Sequence, residues 1–584
     1  MMRKAMPMVL AVVHLLRVPS APAAEALPPR EAWVPEEAIV VVEIPRPAAI
    51  LDRVFDDRVV KAVSSFPPYQ ELLARPQSRQ LRNLLEYFQR QHAADTQTLL
   101  RKLMGGGVTL AAGPAERILV IVDAEDTRLL NDVHEFFLAI ARSEAEKRGQ
   151  PKRVQSAEYR GLTGWTFGPN ESHAIVGNRL LLSNKPDVLK AAADLRAEPG
   201  RGSLARSAAY RSARSAIGSG AAAVAYANMT VLRDLPQLQK ALARTANPMA
   251  TLLFAPLLGS PRDATWLAAG LAFQGDTVSL QLASDRPLAD PSAPAGFATA
   301  SGPDEGARPN LAVPRQIAGF SLYRDLYKFY SAKDTLFPER SSELIFFENM
   351  MGIFFTGRDL TEEVLAETLP DIRVVVARQE YDRKIGTPEV QLPAFAVVLR
   401  LRNPQKAGPI FEEAWQKALG LVNFTRGQKA LPGLILDRPT EAGLKYTMAY
   451  FAPPSPPDAA VDARFNFQPC LAMPGDSVIL SSTDQLTRDL IAAVQQENSQ
   501  NVRPLAGKHT LGTLDGGQLA SVLEANRAAL VRQNMVEKGV SEEKAKGDLS
   551  LLIAALRHVR RLELQAGREG GQSRLEIQFH LQLP

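Results

Sequence analysis

Residues 277–282 (TVSLQL) and 574–581 (RLEIQFHL) carry the pattern that decides the fold. In the first, Val278, Leu280 and Leu282 alternate with Thr277, Ser279 and Gln281; in the second, Leu575, Ile577, Phe579 and Leu581 alternate with Arg574, Glu576, Gln578 and His580. A period of two sends successive side chains to opposite sides of a strand. Each stretch therefore predicts a strand of a mainly antiparallel sheet with one buried face and one wet face.

Working back from these strands, the same order of elements occurs twice. Before the first lie a strand at Ile39–Ile44 (IVVVEI), helical sequence to about Met104, a strand at Ile118–Val122 (ILVIV), and a helix with Leu130, Val133, Phe137 and Ile140 at helical spacing. Before the second lie a strand at Gly319–Tyr323 (GFSLY), helical sequence to Met351, a strand at Phe395–Leu399 (FAVVL), and a helix with Ile410, Phe411, Ala414, Trp415 and Ala418. Leu180–Asn184 (LLLSN) then leads into a helix with Val188 and Leu189, as Val478–Ser482 (VILSS) leads into one with Leu486 and Leu490. The expected fold class is α+β, in two related halves, each a mainly antiparallel sheet with helices packed on one face. The halves are 37–284 and 317–584, each of about 250 residues, a usual size for one domain. Between them, 285–316 holds six prolines and three glycines and is expected to be an irregular, exposed linker.

The N-terminus predicts export. Arg3 and Lys4 precede the apolar run Ala5–Leu16, and Ala21-Pro22-Ala23 fits a cleavage site before Ala24. Residues 1–23 are thus expected to be a signal peptide and 24–36 an N-terminal segment, with the mature protein periplasmic or extracellular. A membrane span needs about 20 apolar residues, so no transmembrane segment is expected in the mature chain. Losing Arg3, Lys4 and Arg17 takes the 68 basic residues to 65 against 63 acidic ones, scattered along the chain. Nucleic acid needs a clustered positive field and is excluded as a partner. The single cysteine, Cys470, allows neither an intramolecular disulfide nor a structural zinc site.

The leader, the strand IVVVEI, the run LLRKLMGGGVTLAAG, the block ILVIVDAED and the segment LLLSNKPDVLKAA together resemble a family of secreted bacterial proteins of unknown function. The resemblance implies an exported, duplicated α+β protein and supplies no catalytic residue.

Candidate chemistry dissolves on inspection. His134-Glu135-Phe136-Phe137-Leu138 begins like a zinc-protease helix, but position 138 is Leu where the second histidine is required. Asp123, Glu125 and Asp126 cluster at a strand end, as oxygen ligands would; in the second half Arg400, Arg402 and Asn403 stand there, so helix capping by Asp126 and Asn403 is the better reading. Ser183 and Ser481 lack the glycines of a nucleophile elbow. Asn184 and Ser482 are expected to be N-caps, with Ser482–Gln485 as a capping box. Gly105-Gly106-Gly107 lacks the Lys-Ser/Thr of a phosphate loop, and Gly218-Ser219-Gly220 precedes a strand instead of following one. The four tryptophans (33, 165, 266, 415) are expected in the core. No catalytic, cofactor-binding or metal residue is assigned, and no cofactor is expected. The expected function is an exported, non-catalytic binding or scaffold protein with a protein or envelope component as partner. The competing reading is an exported hydrolase with a site assembled from distant segments.

Overall fold

The β-branched and aliphatic runs become strands of one sheet. The computed structural model describes residues 27–64, 66–168, 170–198, 202–242, 247–286, 294–300, 302–338, 342–453 and 461–584; the expected signal peptide lies outside them. The first ten strands are β1 (Val40–Ile44), β2 (Gly107–Gly113), β3 (Arg117–Asp123), β4 (Gln155–Tyr159), β5 (Leu162–Gly168), β6 (Glu171–Val176), β7 (Arg179–Ser183), β8 (Ala223–Asn228), β9 (Trp266–Gln274) and β10 (Thr277–Ser284). There follow β11 (Gln316–Tyr323), β12 (Thr368–Ala377), β13 (Ala394–Leu401), β14 (Leu434–Asp437), the two-residue strands β15 (Thr440–Glu441) and β16 (Leu444–Lys445), and β17 (Thr447–Phe451). The last are β18 (Cys470–Ala472), β19 (Ser477–Ser481), β20 (Lys508–Leu514), β21 (Val559–Glu569) and β22 (Gln572–Leu581). Apart from the hairpin β15–β16, all belong to one 20-stranded sheet.

Every pairing in the sheet is antiparallel. From residue 40 to 284 the strand order is β4-β5-β6-β7-β3-β2-β1-β8-β9-β10. From 316 to 581 it is β14-β17-β18-β19-β13-β12-β11-β20-β21-β22. β3 sits between β2 and β7, as β13 sits between β12 and β19. The two stretches are welded by β10 and β22, paired from Thr277↔His580 to Ser284↔Ser573.

Over the outer strands of each half, helices cover both faces, which corrects the one-sided packing expected above. In the first half, Val188, Leu189, Ala192 and Ala193 of the 186–197 helix join Leu181, Ile121 and Ala111 in the main core. On the opposite face, the 127–147 helix brings His134 against Trp165 and His173. The second half repeats this: Leu486, Leu490 and Val494 pack on Ile479, Val398 and Ala396, while Phe411 and Trp415 pack on Leu401, Leu471 and Val478 from the other side. The near-continuous apolar runs ILVIV and FAVVL are the signature of strands covered twice. On the 127–147 helix the buried positions are Leu129, Leu130, Leu138 and Ala145, while Phe137 and Ile140 are exposed.

The described part of the proline-rich stretch, 294–300 and 302–315, is not an exposed linker; it opens with a short 3-10 helix at Pro294–Ala298. Phe297, Ala298, Ala307, Arg308 and Leu311 are all buried. The backbone finds partners outside the segment: Ala307 N–H donates to Lys508 O (2.6 Å), and Phe297 O accepts from Asp325 N–H (2.7 Å). Arg308 Nε reaches Glu497 Oε1 (2.5 Å), a carboxylate that Arg373 also engages. Residues 27–38 play the matching part in the first half, with Trp33 and Val34 fully buried and Arg30 on Asp123 (3.1 Å). Each half is thus preceded by an arm that docks an arginine under the sheet.

A second tie between the halves is Arg324, fully buried after β11. Pro256 lies inside the 248–263 helix and has no N–H, so Leu252 O lacks its intrahelical donor. Arg324 Nε supplies one (2.7 Å), and Nη2 donates to Leu253 O (3.1 Å). The remaining guanidinium hydrogens go to Tyr323 O, His509 O and Thr510 Oγ1.

Candidate functional site

The side chains singled out in the sequence are mostly engaged in holding the fold. Asp123 receives Arg179 through two bonds (2.6 and 2.8 Å) and Arg30 through a third, which neutralises the acidic cluster at its root. Asp126 Oδ1 accepts from Leu129 N–H (3.0 Å) and caps the 127–147 helix, which holds its carboxyl below the usual range. Asn403 does the same for the 404–428 helix through Lys406 N–H (3.2 Å). The two other proposed caps are corrected. Asn184 bonds Ile118 N–H and Glu116 O at a strand end, and Ser482 Oγ accepts from Phe395 N–H, while Thr483 is the N-cap of the 484–499 helix. Ser183 and Ser481 donate to the carbonyls of Lys185 and Thr483 two residues on, so neither hydroxyl faces a base. Gly107 (φ +123°) turns the chain from helix into β2, where a Cβ would meet the Arg30 guanidinium at 2.3 Å. Trp33 and Trp266 are buried and Trp165 and Trp415 half-buried, in separate places. Cys470 is buried, and burial pushes its thiol up to about 12.

One cluster was not visible in the sequence. His134 Nε2 lies 3.1 Å from Nε2 of His173 on β6, and His173 Nδ1 bonds Glu171 Oε1. Trp165 and Phe167 stack edge-on against this pair, and burial holds the His134 imidazole below its ordinary value. The second histidine comes from a strand 39 residues on, not from the next helical turn. The arrangement is a hydrogen-bonded relay without a nucleophile, and among the described residues no three His, Cys, Asp or Glu side chains converge on a metal-sized site.

What the structure leaves open is apolar. Around the β10–β22 weld, three cross-strand rows occupy one face: Phe273-Val278-Phe579-Leu562, Leu271-Leu280-Ile577-Leu564 and Ala269-Leu282-Leu575-Ala566. Only Ala566 of these twelve is buried. Ladder by ladder, the same face continues outward to Leu110 and Ile118 in one half and to Phe320 and Phe395 in the other. These four and Leu282 are 38–50% exposed. The alternation at β10 and β22 thus places apolar residues on a face that is not buried, correcting the expected buried face. No described helix is long and apolar enough to cross a membrane.

No family model and no curated protein matches this chain. Among solved structures, TP0453 in crystal form I is similar over 46% of this chain and 81% of its own, at 11% identity and a TM-score of 0.24. Crystal form IV of TP0453 covers 44% of this chain and 81% of its own, at 9% identity and a TM-score of 0.24. Likeness at that level carries no argument about fold or function.

Proposed function

We propose that this is an exported, non-catalytic binding protein of the bacterial envelope, built by tandem duplication, whose working surface is the open apolar face of the sheet. Supporting duplication is the strand order, which is the same in residues 40–284 and 316–581. Supporting export is the leader pattern of residues 1–23. The observation that carries the functional reading is the run of half-buried and exposed apolar side chains from β3 to β13. Twelve strands at the usual spacing span about 50 Å. A patch of that extent marks an interaction site on a folded protein and exceeds what a small molecule covers. The occupant is a second envelope protein presenting a complementary apolar face.

The hydrolase reading needs convergent polar groups in a cleft, and the reactive side chains found are capped, paired or stacked. The experiment is to assay the purified mature protein against ester, glycoside, peptide and phosphate substrates, with and without chelator. No turnover is the expected result; chelator-sensitive turnover, or turnover abolished by His134→Ala or Glu171→Gln, overturns the proposal.

A further inference from the structure

On the other face of the outer strands of the first half, residues of β4, β5 and β6 and of the 186–197 helix line a half-open cavity of about 160 Å³. Its walls include Leu162, Gly164, Ala174 and Leu189, with Ser172 and Lys190 among its few polar groups. The mainly apolar lining with a small number of polar groups is that of small-molecule sites, and the open mouth lets a longer ligand body extend beyond the enclosed part. Ser172 is 4% exposed, and its hydroxyl has no hydrogen-bond partner. A buried orphan hydroxyl is unfavourable by about 1–3 kcal/mol unless something bonds it. Lys190 is the one charged residue lining the cavity among the described residues, and its ammonium lies 5.6 Å from the Tyr159 ring centroid with no carboxylate paired to it.

The second half shows what a closed version looks like. Matching the ladders strand by strand sets Ala174 against Ala472 and Ser172 against Cys470. Extending the β17–β18 register by one residue then places Tyr446 where the first half has Gly164. Tyr446 is 4% exposed, bonds Asp484, and sits in the core with Cys470 and Leu486; Leu444, from the small hairpin, packs against the same cluster. Cys470 Sγ has a partner, Gln468 O at 3.1 Å. One half fills this space with a tyrosine and a hairpin. The other has there a glycine, a hydroxyl without a partner and a cation without a carboxylate.

We infer that the cavity between β4–β6 and the 186–197 helix binds a monocarboxylate with an aliphatic or aromatic body. The body lies against Leu162, Ala174 and Leu189, the carboxylate pairs with Lys190, and the Ser172 hydroxyl donates a hydrogen bond to a carboxylate oxygen. This site is on the opposite face from the proposed protein surface and stands independently of it.

The test is a fluorescence titration of the full protein with cis-parinarate, a polyene fatty acid, with stearate and stearyl alcohol as competitors. The expected result is saturable binding of one probe, displaced by stearate and far less by the alcohol. Gly164→Tyr imports the residue of the second half; Gly164 has negative φ and its Cβ would meet nothing closer than Leu189 at 3.5 Å. It is expected to abolish binding, Lys190→Glu to weaken it by about tenfold or more, and Lys190→Arg to retain it. If Gly164→Tyr fails to fold, Ala157→Trp on the exposed strand β4 closes the same cavity from its rim. Absence of probe binding overturns the proposal. So does equal displacement by the alcohol, and so does undiminished binding in the folded Tyr or Trp variant, which would place the probe on the open apolar face.

Discussion

Arg324 is a cation held by five oxygens, none of them a carboxylate. Burial pulls its guanidinium down to about 9, so it remains charged at neutral pH and its acceptors depend on it. Arg324→Met orphans the buried carbonyls, at about 1–3 kcal/mol each where water cannot replace the donor. The expected outcome is a lowered melting temperature and faster amide exchange in residues 248–263; unchanged exchange there would refute the clasp. Beside it, His509 is buried neutral, with its imidazole lowered to about 3 by burial and by the Arg324 charge. The unfolded chain takes up this proton near pH 6.5 and the folded chain does not, so stability present above that pH is lost as pH falls toward 3, by about 1.4 kcal/mol per unit. His509→Gln should flatten the decline between pH 6 and 4, measured by urea denaturation; an identical slope in the variant contradicts the assignment. Little at this scale was legible in the sequence except capping by Asp126 and Asn403, because a cap is local. His173 meets His134 only through the β5–β6–β7 ladder, and no spacing rule predicts that.

At the scale of elements, the two matched caps give an internal comparison. Asp126→Ala and Asn403→Ala each remove one acceptor from a helix start and should each destabilise by about 1 kcal/mol. Chemical denaturation checks this, and a change in one alone would show that the caps are not equivalent. The strands were legible because ILVIV, FAVVL and the alternating termini carry their period in sequence. The register of caps was not: Thr483, not Ser482, is in capping position, since Ser482 is held by Phe395 N–H from the neighbouring strand. Which face a helix covers was also hidden, because Phe137 and Ile140 keep helical spacing while the helix turns them outward. The packed arm 294–315 escaped detection because proline-rich composition records missing donors, not the apolar residues between them. Phe297, Ala307 and Leu311 bury themselves regardless.

For the whole molecule, the β10–β22 weld, the Arg324 clasp and the packed arm make the halves one structural body. An engineered protease site between Arg286 and Pro294 should yield two fragments that still co-elute by size exclusion after cleavage. Separate elution as two monomers would contradict the shared sheet. The same weld puts its apolar rows at the centre of the molecule and leaves them open, and the proposed function rests on that face. The direct measurement is photocrosslinking of the mature protein in its own envelope extract, with benzophenone-phenylalanine at position 110, 320 or 395, and at Val536, an 85%-exposed position on the separate 527–538 helix, as control. The account predicts one adduct of the same mass at all three sheet positions, absent at 536 and lost when Leu282→Asp is added. Adducts equal at 536, or unaffected by Leu282→Asp, would contradict it.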